Sequence, residues 1–162
     1  MFRLSKLTDY AIVLLSHFAH HREDHGPLTA RALSQSTDIP LPTVTKLLKS
    51  LCKAELLASQ RGVQGGYRLL RPAKQITVLE VITAIDGPVE LTDCAGDTPK
   101  RCDIEARCPS RSNWRRINDA VRVSLESLTI ADMAPPRHVQ ASTATQLVTL
   151  GHRERLAGAK DS

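Results

Sequence analysis

The sequence predicts a mainly α-helical fold with one small β-hairpin, a winged helix-turn-helix extended by a long C-terminal helix suited to dimerisation. Three observations carry this prediction. Two short helical stretches are joined by a tight turn, a glycine-rich basic hairpin follows them, and an apolar seam bearing the chain's only Trp recurs at helical spacing further on.

From the N-terminus, Leu7, Ala11, Leu14, Leu15 and Phe18 repeat at spacings of three and four, which marks an amphipathic helix over about residues 5–20. Ser5 and Thr8 are its capping candidates, and the polar run HHREDHGP ends it. Thr29 caps a second helix, ARALSQST, which ends near Asp38, and Ile39-Pro40 makes the turn. Pro42 fits the first turn of a third helix, where its missing N–H costs little. In that helix Val44, Leu47, Leu48 and Leu51 form an apolar stripe, leaving Thr45, Lys46, Lys49 and Lys53 on the other side. Two short helices, the second basic on its outer face, match a helix-turn-helix. A three-helix bundle with a solvated lysine face would give the same pattern.

The next segment separates these readings. Leu56 to Gln60 and Tyr67 to Leu70 are strand candidates joined by the glycine-rich turn RGVQGG, a hairpin with a basic tip where a wing belongs. Glycine lets such a tip approach a duplex closely, and Arg61 and Arg68 can reach phosphates or a narrow minor groove. A phosphate-cradling loop would need a Gly-Lys-Ser/Thr motif and a helix directly after it, and neither is present.

Thr77 and Glu80 form a capping box at the start of VLEVITAI, and Asp86-Gly87-Pro88 ends that helix. Val89 to Ser112 loses apolar periodicity and holds Cys94, Cys102 and Cys108. Trp114, Ile117, Val121, Leu125 and Leu128 then mark a helix of about four turns with one apolar seam. A winged helix reads DNA as a symmetric dimer, so this seam is a candidate homodimer contact; packing within the chain is its other use. After Pro135-Pro136 a low-complexity polar tail is expected to be disordered. The chain thus divides into a DNA-binding winged helix-turn-helix over 1–75, a helix, cysteine loop and dimerisation helix over 76–134, and a tail over 135–162.

Charge follows the same division. Residues 1–75 carry eleven Lys and Arg against five Asp and Glu, a net of +6, whereas residues 76–162 carry eleven against twelve. The positive field of the N-terminal half suits a phosphate backbone. No secretory apolar region is evident and no run reaches the roughly 20 apolar residues of a membrane span, so a cytoplasmic protein with no membrane partner is expected. There thiols stay reduced, and clustered cysteines favour metal or redox chemistry. No enzyme is expected: Gly-x-Ser-x-Gly and Gly-x-Gly-x-x-Gly are absent, and in HREDH Arg22 stands where a zinc-protease base would be. His17 and His21 read as a solvated helix end.

The three cysteines have C-x7-C-x5-C spacing, and soft thiolates of this kind select zinc, copper(I) or iron-sulfur clusters. Structural zinc favours pairs with only two to four intervening residues, so the wider spacing favours a larger cluster. Three thiolates are one short of a complete four-thiolate site. Cys52, on the apolar side of the third helix, reads as a small core residue.

The stretches KLTDYAIVLLSHFA, IPLPTVTKLLKSL, RGVQGGYRLLRP, ITVLEVITAIDGPVELTDC and CPSRSNWRRIN together resemble the iron-sulfur winged-helix regulator family that includes IscR and NsrR. Most closely they look like its branch regulating SUF-system iron-sulfur cluster assembly, and the resemblance runs over about residues 1–134. It implies a homodimer on promoter DNA whose 2Fe-2S or 4Fe-4S cluster, held by Cys94, Cys102 and Cys108, alters which promoters are bound, or how tightly. It also places base contacts at Pro42, Thr43 and Thr45 and minor-groove entry at Arg61, while Lys46 and Lys49, on the outer face of the third helix, are the candidate phosphate contacts. Arg111 departs from the cluster-homeostasis regulator, which has a histidine ligand there; arginine stays protonated and cannot ligate iron. Asp9 lies where the nitric-oxide-sensing branch supplies a carboxylate from the partner's first helix, although an acid in an early helical turn is also favoured by the macrodipole. The expectation is a regulator that senses cluster status or redox state and controls SUF genes. A zinc-stabilised DNA-binding protein and a metal-free thiol switch are its alternatives.

Overall fold

The computed structural model describes residues 4–21, 26–62, 64–95, 102, 104 and 107–134. The expected tail over 135–162 and Arg22 to His25 of the HREDH run lie outside the described residues.

Helix α1, Lys6–His20, starts at Ser5, whose hydroxyl accepts from the Thr8 N–H. Thr8 itself is not a cap: it is fully buried one turn in, and its Oγ1 donates to Asp86 Oδ2 at 2.8 Å. Helix α2, Ala30–Thr37, is capped by Thr29, and its chain reverses at Asp38 in the left-handed region with φ 56°. Helix α3, Leu41–Lys53, carries Pro42 in its first turn and buries Val44, Leu47, Leu48 and Leu51. Strands β1, Leu57–Gln60, and β2, Gly66–Leu69, pair antiparallel with Ala58 opposite Arg68. A 3-10 turn, Ala73–Gln75, leads to α4, Val78–Asp86, where both bonds of the Thr77–Glu80 capping box are made.

The hairpin has a third member invisible to local patterning. Leu28 exchanges both backbone hydrogen bonds with Tyr67, N–H to O at 2.9 and 2.8 Å, so the loop after α1 edges the wing as a one-residue strand. Gly66 makes this approach possible, because a Cβ there would sit 2.7 Å from the Leu28 carbonyl oxygen. Arg71 joins the wing to α4 through Glu80 at 2.7 Å. Burial alone would raise the Glu80 pKa, but the Arg71 guanidinium and the Thr77 N–H hold it below the usual carboxylate range.

Helix α5, Arg111–Ser127, follows the cysteine loop, and a last turn, α6, Ile130–Met133, follows α5. Thr129 and Asp132 form a second capping box that begins α6, a T-x-x-D signal that escapes notice in so short an element. The segment between α5 and α6 is strapped to the start of α4: Val78 N–H donates to Leu128 O at 2.8 Å and Ile130 N–H to Ile76 O at 2.9 Å. Ile130 is then fully buried in one core with Leu14, Leu15, Leu33, Val44, Leu48 and Ile76. Each such side chain stabilises the fold by about 1.5–3 kcal/mol relative to exposure. The core therefore draws on residues from both the 1–75 and the 76–134 segments.

The α5 seam is divided. Val121 and Leu125 pack on a small cluster of Val78, Ile82 and Val89, whereas Trp114 and Ile117 are 40% and 47% exposed. Leu128 lies past the end of the helix as its C-cap and is exposed. Among the described residues of α5 only Asn118 is buried.

Candidate nucleic-acid interface and cysteine loop

Helix α3 turns its leucines inward, and this fixes what remains for a ligand. Pro42, Lys46, Lys49 and Lys53 are exposed, while Thr43 and Thr45 are half-buried. The Thr45 hydroxyl donates to Leu41 O at 2.9 Å, so its methyl is the group left to present outward. Lysine ammoniums on one face of a helix behind a tight turn make a surface that neutralises phosphates. Cys52, on the same helix, is half-buried against the core, and burial pushes its thiol pKa up, which suits packing rather than chemistry.

At the wing, Arg61 is exposed beside Gly62, whose φ of 113° an L side chain rarely adopts. Gly65 N–H closes the tip on Gly62 O at 2.9 Å. Arg68 is exposed on β2, opposite Ala58. The hairpin thus carries Arg61 at its tip and Arg68 exposed on its middle strand, β2. Beside the hairpin, α1 finishes with His17 and His20 and is capped by His21, which lines a cavity together with Tyr67 and Arg68. His17 meets Ser36 Oγ of α2 at 3.2 Å, and its pKa is lowered by burial first and by His21 and His20 second.

The cysteine loop leaves α4 at Gly87 and is tethered at once, because Leu91 N–H donates to Asn118 Oδ1 at 3.0 Å. A turn closed by Ala95 N–H on Thr92 O at 3.0 Å then holds Cys94, which is buried, with Thr92 Oγ1 3.5 Å from its sulfur. Cys102 and Cys108 are half-buried, and all three are free thiols. Soft thiols in one loop, none tied up in a disulfide, are a donor set that iron accepts. The described residues do not gather them: no group of three or more His, Cys, Asp or Glu side chains converges as a metal ion needs. Holding a metal group would bring the sulfurs of Cys102 and Cys108 together with the buried one. Asp9 is exposed on the first turn of α1, well away from that convergence in sequence but open to a second molecule. Arg111, the first residue of α5, is half-buried.

Sequence patterning located the lysine face, the wing and the cysteines, and overlooked Asn118. Its signal was present as a small polar residue between Ile117 and Val121 on the inner side of a helix whose other inward positions are apolar.

The chain matches the family model described as Rrf2, an iron-dependent transcriptional regulator, over residues 4–136. It is 32% identical over 144 residues to the HTH-type transcriptional regulator IscR of Photobacterium profundum, a match covering 89% of this chain and 82% of that protein. Among solved structures it is similar to CymR, the global cysteine regulator of B. subtilis, with a TM-score of 0.62 and 27% identity over 83% of this chain and 97% of that one. It is also similar to T. potens IscR, with a TM-score of 0.58 and 25% identity over 82% and 85% of the two chains.

Proposed function

The chain belongs to the Rrf2 family of iron-dependent transcriptional regulators and is a DNA-binding regulator of the winged-helix type; on that premise we propose that it acts in the cytoplasm as a homodimer holding an iron-sulfur cluster. Cys94, Cys102 and Cys108 are its thiolate ligands, and Asp9 of the second copy is the fourth. The genes it controls are those for SUF-system cluster assembly. The observation that carries this reading is the set of three free thiols in the loop that joins the DNA-binding body to α5. When bound, the cluster supplies an oxidisable and removable group whose presence tracks cluster supply.

The residues divide the work. Lys46, Lys49 and Arg61 engage phosphates and groove, Pro42, Thr43 and Thr45 read bases, and Trp114 and Ile117 meet their counterparts across the two-fold axis, continued by Leu128 at the helix end. For cluster state to change DNA affinity, one DNA-binding state must hold the cluster more tightly than the other. Asp9, an oxygen ligand, makes the cluster easier to lose than four thiolates would, which suits a sensor.

Anaerobic purification tests this directly. A brown protein with sulfur-to-iron absorption that disappears in the Cys94→Ser, Cys102→Ser, Cys108→Ser variant supports it. A colourless protein with stoichiometric zinc overturns it in favour of a zinc-stabilised regulator. The three free thiols in one loop also allow one second reading, a thiol switch without metal, in which the cysteines oxidise reversibly. Mass spectrometry finding a reversible disulfide and no bound metal would establish that alternative.

A further inference from the structure

Helix α5 is polar and exposed along most of its length, and its only buried described residue is an asparagine. Asn118 is 1% exposed. Its orientation is set by the backbone, because Oδ1 accepts the Leu91 N–H at 3.0 Å and Nδ2 must therefore be the other atom. Nδ2 is enclosed and has no hydrogen-bond partner among the described residues. A buried amide donor without an acceptor is unfavourable and calls for a partner that arrives with another state of the molecule. Because Asn118 is covered within a single chain, the chain's own adjoining loop is the nearest source of that partner.

The backbone that Asn118 grips leads directly to Cys94, three residues past Leu91 and itself only 6% exposed. A neutral thiol is a weak acceptor, whereas a metal-bound thiolate is a good one. We propose that Asn118 is a positioning residue of the cysteine loop, its Nδ2 donating a hydrogen bond to the Cys94 thiolate when the loop holds its metal group. The inference rests on the cluster reading given above. Side chains that hydrogen-bond to ligating groups orient them and tune the metal, and N–H bonds to sulfur favour the more negative, reduced state of a cluster. Asn118 also stands on α5, so the same contact ties the ligation state of the loop to the helix that bears Trp114 and Ile117.

The test compares the anaerobically reconstituted full chain with Asn118→Asp, which keeps an acceptor for Leu91 N–H and removes the donor, and with the neutral Asn118→Ser. Unchanged far-UV circular dichroism identifies the folded variants. The expected result is a more negative midpoint potential and a roughly 10-fold faster loss of visible absorbance in air. Asn118→Gln, which restores an amide donor, should recover part of both. If Asn118→Asp does not fold, Asn118→Ser decides. A folded variant lacking the amide but having the wild-type potential and lifetime overturns the proposal. If the wild-type chain takes up no cluster, that reading fails separately, and cobalt(II) titration followed by sulfur-to-cobalt absorption tests Asn118 alone. Roughly 10-fold weaker cobalt binding in the variants supports the donor role, and equal affinity overturns it.

Discussion

Asp86 ends α4 and serves α1. Its Oδ2 accepts from Ser5 N–H at 3.0 Å and from Thr8 Oγ1 at 2.8 Å, placing a carboxylate at the positive end of the first helix. Burial alone would push its pKa up, but the hydrogen bonds from Ser5 and Thr8 outweigh this and hold it below the ordinary carboxylate value. A depressed pKa stabilises the fold above the unfolded-state pKa, and the contribution is lost as pH falls through the folded value. Asp86→Asn should therefore destabilise the fold at neutral pH by about 1 kcal/mol after allowance for solvent screening, read as a lower thermal midpoint. The gap to wild type should close in melts at increasingly acid pH; a gap independent of pH would contradict the ionic role. Gly66 makes a second residue-scale prediction. Adding a methyl group by Gly66→Ala drives it into Leu28 O, 2.7 Å from the ideal Cβ position, and should cost about 1–3 kcal/mol in chemical denaturation while weakening DNA binding through the displaced wing. Neither contact was legible in the sequence, because Ser5 and Asp86 lie 81 positions apart and no local pattern links them.

The individual elements were far more legible. Thr29, Thr77 and the Val44-Leu47-Leu48-Leu51 stripe act within one or two turns, where side chain and backbone interact at fixed spacing. The hairpin ends differ from expectation by one residue, with Leu70 still donating to Leu56 O at 3.2 Å beyond the regular ladder. For α3, Lys46→Ala should weaken binding to all DNA sequences alike and reduce the salt dependence by about one counterion, whereas Thr43 or Thr45 changes should alter sequence preference, as measured by titration against operator and random duplexes. For α5, periodicity gave the helix but not the use of its seam, since spacing alone cannot say which apolar surface meets a neighbour in the same chain. Val121 and Leu125 face α4, and Trp114 and Ile117 face outward. Leu125→Ala should accordingly lower the melting temperature of the subunit, while Ile117→Glu should shift the protein toward monomer in light scattering with little change in subunit stability.

At the scale of the molecule, a continuous core passes from α1 through α3 to Ile76 and Ile130, so the winged body depends on residues that come after the cysteine loop. Ile130→Ala should cost about 2–5 kcal/mol and lower DNA binding with it, measured by urea denaturation. The sequence segmentation placed this residue with the dimerisation segment because a single-turn helix offers too few positions for a periodic signal. The candidate site was legible as a list of donors and opaque as an arrangement: the thiols announce their chemistry by residue type, but their separation depends on how the loop is held. That holding follows from the strap between Val78 and Leu128. Helices α4 and α5 are joined at one end by the strap and open at the other onto the loop, like the arms of tongs joined at a pivot. The loop leaves from one arm and returns to the other, and the tip of the α5 arm, ahead of the Asn118 tether to Leu91, is where Trp114 and Ile117 stand. A group that draws the loop's sulfurs together, as proposed, would therefore be felt first along the chain at the start of α5, on the arm that bears the exposed Trp114 and Ile117.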